Sequence, residues 1–423
     1  MSLSSIHINS NNEYDYIFDN NFALYNKHKI SIAPMIDITT PYFRYLMRLI
    51  TNCSVLYTDM INANTILMSK KGFEKELYYH NIEHPIVVQL GGNNPDTLGE
   101  AAKYCKLMGY DEINLNCGCP SGKVMNSNFG ACLMKNPNLV YECCKSIKKN
   151  SNIETTIKCR LGVDTYNKEL LNNFISESST SFNYNIYKGM YNNSTIDIEK
   201  KFKNSIFNFN DNKNLDIIFN KSYYNELTVD RKTICELSRI VKHFIIHSRI
   251  AIQGLDTIKN RKIPPLMYNE VYNLKSEFSN LHFSINGGVK SKKQAIEIFK
   301  ESKNTIIGIM IGRAAYDNPF LFSDFDSTFY NKKDNGYDRE TILYKYIDYI
   351  DDIKYKLDVP KHEVINPLYN LFTGEKFNTT FKNLLSDCKN YKNEDITDHL
   401  KLVIDKYKKI NSLAFSKLTI YDK

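Results

Sequence analysis

The chain has 423 residues, 42% of them hydrophobic, with a formal net charge of +8 and a pI near 8.7. That length holds a barrel-sized domain and a second, smaller one, and the composition allows a real core. The modest basic excess suits a polyanionic partner without demanding one.

Ten cysteines are present, but none form a C-x-x-C pair and no Cys/His spacing points to zinc, so no metal site is expected. They read as free thiols in a reducing compartment, with the cytosol as the default location. No apolar run approaches the length of a membrane span. Glu13, Asp15 and Asp19 near the start argue against a signal or transit peptide.

In chain order, residues 1–28 read as an N-terminal extension. Eight apolar, strand-like runs follow: Ile30 to Met35, Val55 to Met60, Pro85 to Leu90, Glu112 to Asn116, Thr155 to Arg160, His243 to His247, Leu281 to Asn286, and Thr305 to Gly312. Stretches between them, such as Asp96 to Met108 and Ser291 to Phe299, carry apolar residues at helical spacing. Strands alternating with helices predict a parallel sheet, and eight such units predict a (β/α)8 barrel over residues 29–329. An open doubly wound sheet is the alternative.

About eighty residues separate the fifth run from the sixth. Their middle, 177–224, is rich in Asn, Ser, Tyr and Lys without a period and reads as a surface insertion. Glu226 to Ile240 reads as a helix returning to the barrel. Beyond Phe325 the strand pattern stops. Asp338 to Leu357, His362 to Phe372, Thr379 to Cys388 and Asp395 to Lys409 predict an all-helical C-terminal domain over 330–423. Tyr344, Lys345, Tyr346, Tyr349, Lys354, Tyr355 and Lys356 interleave in its first helix, either as a solvated face or as a wall for phosphates.

Function in a parallel barrel collects at the C-terminal ends of the strands. There stand Pro34, Met35 and Ile36 after the first run, Gln89 in the third, and Asn116 with Cys119 after the fourth. Lys158 and Arg160 end the fifth, and His247 and Arg249 follow the sixth. Asn286, Gly287 and Gly288 close the seventh, and Gly312 and Arg313 the eighth. Two glycine turns and an arginine on neighbouring strands fit a phosphate. Lys158 needs an anion, supplied either by a ligand or by an interior carboxylate. Gln89 and His247 are either ligand contacts or satisfied core residues.

The densest signal is Asn114-Leu115-Asn116-Cys117-Gly118-Cys119-Pro120-Ser121, followed by Phe129-Gly130-Ala131-Cys132-Leu133. It sets the Cys119 thiol on a Gly/Pro-shaped turn just past a strand, where a protonated thiol can act as a general acid. Cys132 sits at a predicted helix start and is the weaker choice.

This stretch resembles the active-site loop of the tRNA-dihydrouridine synthases, and the chain is similar to their DusA-type branch. The likeness takes in Ala33 to Leu49, Leu56 to Leu67, Pro85 to Val140, Ile157 to Asp164, His243 to Asn269, His282 to Lys290 and Gly308 to Phe320. It includes Asn260-Arg261-Lys262-Ile263-Pro264-Pro265-Leu266. The resemblance implies an FMN-carrying barrel joined to a helical tRNA-binding domain. It implies that Pro34, Met35 and Ile36 line the flavin, that Gln89, Lys158 and His247 contact its ring and ribityl region, and that Asn286, Gly287, Gly288, Gly312 and Arg313 hold its phosphate. NADPH would supply the electrons, and Cys119 would protonate the uracil ring of an extruded uridine at position 20 or 20a. Asn116 would lie beside that uridine, and Arg261 and Lys382 would contact the tRNA. The chain departs from the family at Ile258 and Thr379, where basic residues are usual. Two rivals stand beside this reading: an FMN barrel acting on a small pyrimidine, as dihydroorotate dehydrogenases do, and a non-catalytic tRNA-binding protein.

Overall fold

The structure is a computed structural model and describes residues 27–70, 72–121, 128–165, 230–253, 255–262, 264–355, 360–388 and 395–415. The expected insertion at 177–224, most of the N-terminal extension, and Lys356 lie outside the described residues.

The described residues hold ten strands: β1 (Ile30–Ile32), β2 (Val55–Asn62), β3 (Ile86–Gly91), β4 (Glu112–Cys117), β5 (Glu154–Arg160), β6 (Val163–Thr165), β7 (His243–His247), β8 (Ala251–Gln253), β9 (His282–Asn286) and β10 (Gly308–Ile311). Eight of them close into a parallel barrel in the order β1-β10-β9-β7-β5-β4-β3-β2, which rules out the open sheet. β6 and β8 are short extensions past β5 and β7 that pair only with each other. Neither was expected, because three residues carry no readable period.

Strand alternation explains why β4 reads Glu-Ile-Asn-Leu-Asn-Cys. Successive side chains point to opposite faces. Ile113, Leu115 and Cys117 join the large core between barrel and helices, which also takes in Cys143, Cys144 and Ile147. Glu112, Asn114 and Asn116 take the other face, where hydrogen bonds join them to Thr156 of β5 and Gln89 of β3. A separate apolar cluster of Ala33, Val55, Tyr57, Val87, Ile245 and Met310 comes from β2, β3, β7, β10 and the end of β1. The barrel centre is therefore a packed core with a polar seam along β4.

The flanking helices start where the sequence places caps. Asn94 Oδ1 accepts the Thr97 N–H before helix Pro95–Met108, and Ser291 Oγ accepts the Gln294 N–H before Lys292–Glu301. Helix Arg231–Leu237 is capped by Asp230 and is shorter than expected; residues 226–229 lie outside the described residues.

The C-terminal region is helical, with Arg339–Ile353, Lys361–Ile365, Asn378–Cys388 and Ile396–Ile410 as its main elements. It is packed onto the barrel. Arg339 is fully buried, stacks over the Phe320 ring at 3.8 Å and donates to the Leu371 carbonyl. The Tyr45 and Tyr349 rings stack at 3.7 Å. Tyr346 and Tyr349 are therefore core residues, and Lys354 is paired with Asp351 and Asp395. Three of the seven residues of the interleaved Lys/Tyr stripe are thus spent on packing and ion pairs, while Tyr344 and Tyr355 are exposed. Among the described residues no helix is long and apolar enough to cross a membrane.

Candidate active site

The register of the barrel sets the order of groups around its mouth. Asn116 lies opposite Lys158, Arg160 opposite His247, and His247 opposite Asn286. Residues about forty to ninety positions apart thereby become neighbours at one end of the sheet.

Cys119 sits on a strapped loop. Asn116 Oδ1 accepts the N–H groups of Gly118 and Cys119 at 3.1 and 3.0 Å. The Cys119 carbonyl accepts the Ala131 N–H at 3.0 Å, and Arg160 Nε donates to the Gly118 carbonyl at 3.3 Å. Gly118 passes so close to β5 that a Cβ there would meet the Cys159 backbone at 3.2 Å. The thiol itself is half-buried, 3.5 Å from Ser121 Oγ. Cys132 stands in the 3-10 turn Gly130–Lys135, with Gln253 Nε2 3.3 Å from its sulfur. Cys105, Cys117, Cys143, Cys144 and Cys159 are buried, and burial pushes their thiols up, to about 12 for Cys105 and Cys159. Those are inert core thiols.

Below the loop a chain of hydrogen bonds runs down the barrel. Asn116 Nδ2 donates to Gln89 Oε1 at 2.8 Å, and Gln89 Nε2 donates to Asn114 Oδ1 at 2.8 Å. Asn114 Nδ2 donates to Thr156 Oγ1 at 2.9 Å, and Thr156 donates to Glu112 Oε1 at 2.6 Å. Every donor points towards Glu112. Gln89 is thus a satisfied buried amide with one N–H to spare, and Asn116 spends its oxygen on the Cys119 loop.

The mouth is strongly cationic. Lys158 has no carboxylate partner among the described residues, so the interior ion pair that was one reading of it is absent. Burial first, then the neighbouring Arg160 charge, lowers its pKa from 10.5 to about 8. Burial also lowers Arg160, Arg249 and Arg261. The first is depressed further by Arg249 and Arg261, and the latter two each by Arg313. Arg249 Nε and Arg261 Nε are buried without a hydrogen-bond partner. Cys119 lies within electrostatic range of Lys158, Arg160 and Arg261. Burial, with Arg160 and Lys158 beside it, holds His247 well below its usual pKa, so the ring is neutral.

Gly287 and Gly288 have φ of +111° and +75°, which side chains rarely adopt. A Cβ on Gly287 would stand 2.5 Å from the His247 ring, and one on Gly288 2.3 Å from Leu266. Asn286 Nδ2 is tied to the Met310 carbonyl, joining β9 to β10 beside Gly312 and Arg313. In the first loop Met35 is pinned by Thr39, and Ile36 is about half exposed. Cationic groups with no ion-pair partner among the described residues, glycine turns and a neutral imidazole suit an anionic ring-bearing cofactor with a phosphate.

Arg261 is placed by its neighbour. Asn260 is fully buried and bonds the backbone of Ile252 and Leu255, while Arg160 donates to its carbonyl at 3.1 Å. Lys382 lies on Asn378–Cys388 and donates to Asn370 Oδ1 at 2.9 Å; Asn370 in turn donates to the Tyr316 carbonyl, in the helix Arg313–Asp317 that follows β10. Lys382 is thus tied, through Asn370, to the element that begins at Arg313. Ile258 is exposed, and Lys259 beside it is paired with Asp256.

The sequence reading missed the anchoring roles of Asn260 and Arg160, the Asn114–Thr156 link, and Tyr268, whose hydroxyl donates to the Gly287 carbonyl at 2.5 Å. Only Asn114 carried a signal, its alternation with Asn116. Also missed was a buried group of His28, Glu112 and His243, far from one another in sequence.

A family model described as "Dihydrouridine synthase (Dus)" matches residues 31–176 and 231–408. A protein of Escherichia coli O6:H1 named "tRNA-dihydrouridine(20/20a) synthase" is 33% identical over 393 residues, covering 91% of this chain and 98% of its own. A protein of the same name from Vibrio vulnificus is 35% identical over 325 residues, covering 76% and 80%. Among solved structures, an old yellow enzyme homologue from Zymomonas mobilis aligns over 71% of this chain and 88% of its own, at 10% identity and a TM-score of 0.42. The chain belongs to the dihydrouridine synthase family, in its DusA-like branch.

Proposed function

We propose that this protein is a flavin-dependent tRNA-dihydrouridine synthase that reduces the C5=C6 bond of uridine 20 or 20a in the D-loop, with NADPH as electron source. The observation that carries the reading is the cluster of Lys158, Arg160, Arg249, Arg261 and Arg313 around the Cys119 loop, none of them ion-paired to a carboxylate among the described residues. The names of the relatives supply the substrate and its position.

FMN, when bound, supplies the hydride for C6 of the uracil ring. In this reading Asn286, Gly287, Gly288, Gly312 and Arg313 hold its phosphate, and Pro34, Met35 and Ile36 cover it from the first loop. Lys158, the spare N–H of Gln89 and the neutral His247 face its ring and ribityl chain. Asn116 fixes the loop that presents Cys119 and lies beside the uridine. Cys119 gives its thiol proton to C5, and the nearby cations stabilise the sulfur as the proton leaves. Solvent returns the proton. Arg261 and Lys382 contact the tRNA, with 29–329 as the catalytic barrel and 330–423 as the tRNA-binding domain. The uridine has to leave the tRNA stack to reach the mouth. The expected location is the cytosol.

The test is an absorbance spectrum of the purified protein, its bleaching by NADPH, and its reoxidation by unmodified tRNA. Flavin that is bleached and then reoxidised by tRNA supports the whole reading. Reoxidation by free pyrimidines as readily as by tRNA replaces it with a small-molecule oxidoreductase. A protein that cannot take up FMN but binds tRNA leaves only an RNA-binding barrel.

A further inference from the structure

At the opposite end of the β4 seam from Cys119, three side chains from distant parts of the chain converge in a fully buried spot. His28 precedes β1, Glu112 opens β4 and His243 opens β7; each is 1% exposed. One ligand atom from each lies within 4.8 Å of the others. We propose that His28, Glu112 and His243 form a site for a divalent cation of the zinc class at the floor of the barrel, separate from the site at its mouth.

Three buried atoms there lack a hydrogen-bond partner: His28 Nε2, Glu112 Oε2 and His243 Nδ1. His28 Nε2 approaches Glu112 Oε2 to 3.0 Å but without the alignment of a hydrogen bond. Two donors bound tetrahedrally to one zinc ion at about 2.1 Å stand about 3.4 Å apart, so a shared ion needs this pair to open by only a few tenths of an ångström. Buried polar atoms are rarely left unpaired; His243 Nδ1 has no partner at all, and His28 Nε2 and Glu112 Oε2 have only their 3.0 Å ion-pair approach.

The surroundings suit ligands. His243 Nε2 is 2.8 Å from Ser284 Oγ, which leaves Nδ1 as the free nitrogen. Glu112 Oε1 accepts from Thr156, which orients the carboxylate and leaves Oε2 for an ion. Metal-bound imidazoles and carboxylates are commonly held in this way by hydrogen bonds from their far side. Two imidazoles and one carboxylate match zinc and its neighbours rather than calcium or magnesium. The alternative is a plain His28–Glu112 ion pair with no ion.

The test uses the full-length protein with its flavin. The protein is stripped with a chelator, dialysed against Zn2+ and measured for bound zinc, and its metal environment is read by X-ray absorption. The proposal expects about one zinc per chain, a first shell of N and O at about 2.0–2.1 Å, and loss of that zinc in His243→Ala and in His28→Ala. No zinc uptake by the wild-type protein overturns it. So does full occupancy in folded His243→Ala, or a shell dominated by sulfur at about 2.3 Å, which would place the metal on thiols. Should the variants fail to fold, the wild-type stoichiometry and shell decide alone. Flavin binding and tRNA reduction are measured in parallel, so failure at the mouth is distinguishable from failure at the floor.

Discussion

Asn116 and Glu112 are the two ends of one hydrogen-bond chain in which every donor points the same way, from the mouth of the barrel to its floor. Glu112, as a carboxylate, only accepts; Asn116, at the other end, has its oxygen turned to the Gly118 and Cys119 amides. The floor thereby sets which way the amides face at the mouth. Replacing Asn116 by Ala leaves Gln89 Oε1 and two loop N–H groups unpaired, at about 1–3 kcal/mol for each group that stays buried. Asn116→Asp keeps the acceptor for the loop. We expect Asn116→Ala to lower kcat for tRNA by 10-fold or more, on the order of one lost positioning contact, with flavin retained. Asn116→Asp should recover part of that loss. Single-turnover reoxidation of the reduced enzyme by tRNA measures it; equal rates in Asn116→Ala and wild type would remove Asn116 from the positioning role.

Cys119→Ala should bind FMN and be reduced by NADPH as the wild type is, because the loop is strapped through backbone groups and the sulfur adds only a 3.5 Å contact to Ser121 Oγ. Reoxidation by tRNA should slow by about 10²- to 10⁴-fold, the usual contribution of a positioned general acid. Cys132→Ala should change it little. If the two variants exchange these phenotypes, the assignment moves to Cys132.

Lys158 gives the pH dependence. Its pKa of about 8 in the folded, cofactor-free protein lies below the 10.5 of an exposed lysine. Between those values the unfolded chain holds the extra proton, so this group makes the apoprotein more stable as pH rises from about 8 towards 10.5. The shift corresponds to about 3 kcal/mol of disfavoured charge, which a bound anion relieves. FMN affinity should therefore be full below about pH 8 and weaken above it. Fluorescence titration of FMN at pH 7 and pH 9 checks this. Lys158→Met should bind FMN more weakly at pH 7, lose most of the pH dependence, and raise the apoprotein's Tm at neutral pH. A pH dependence unchanged by the substitution would assign it to another group.

The eight strands and the C-terminal helices were legible because apolar runs and helical spacing are local signals. The mouth residues were legible because the end of a strand can be read once the strand is found. What was not legible depends on contacts across the barrel. Asn260 looks like any polar loop residue until its two amide atoms are seen clasping Ile252 and Leu255. His28 read as the end of an extension, yet it is buried against Glu112 and His243, a meeting set only by barrel closure. Tyr346 and Tyr349 looked like a basic aromatic stripe, and their helix turns them into the core.

Gly287 tests the cup at the seventh strand. A methyl there meets the His247 ring at 2.5 Å, and the backbone at φ +111° adds strain of about 1–3 kcal/mol. Gly287→Ala should weaken FMN binding at least 10-fold, in proportion to that strain. Flavin content after gel filtration reads the effect. A variant that keeps its flavin stoichiometrically through dilution would show that neither the turn nor the His247 contact is needed.

Removing residues 330–423 is a poor test of tRNA binding, because Arg339 and Tyr349 pack against Phe320 and Tyr45 and the cut would expose the core. Lys382 offers a cleaner one. Its ammonium bonds Asn370 and keeps two further N–H donors for phosphate. Lys382→Gln preserves a donor towards Asn370 and removes the charge. It should raise KM for tRNA several-fold with kcat and flavin reduction unchanged, and flatten the salt dependence of binding by about one phosphate contact. A KM and salt slope equal to wild type would place the tRNA elsewhere on the helical domain.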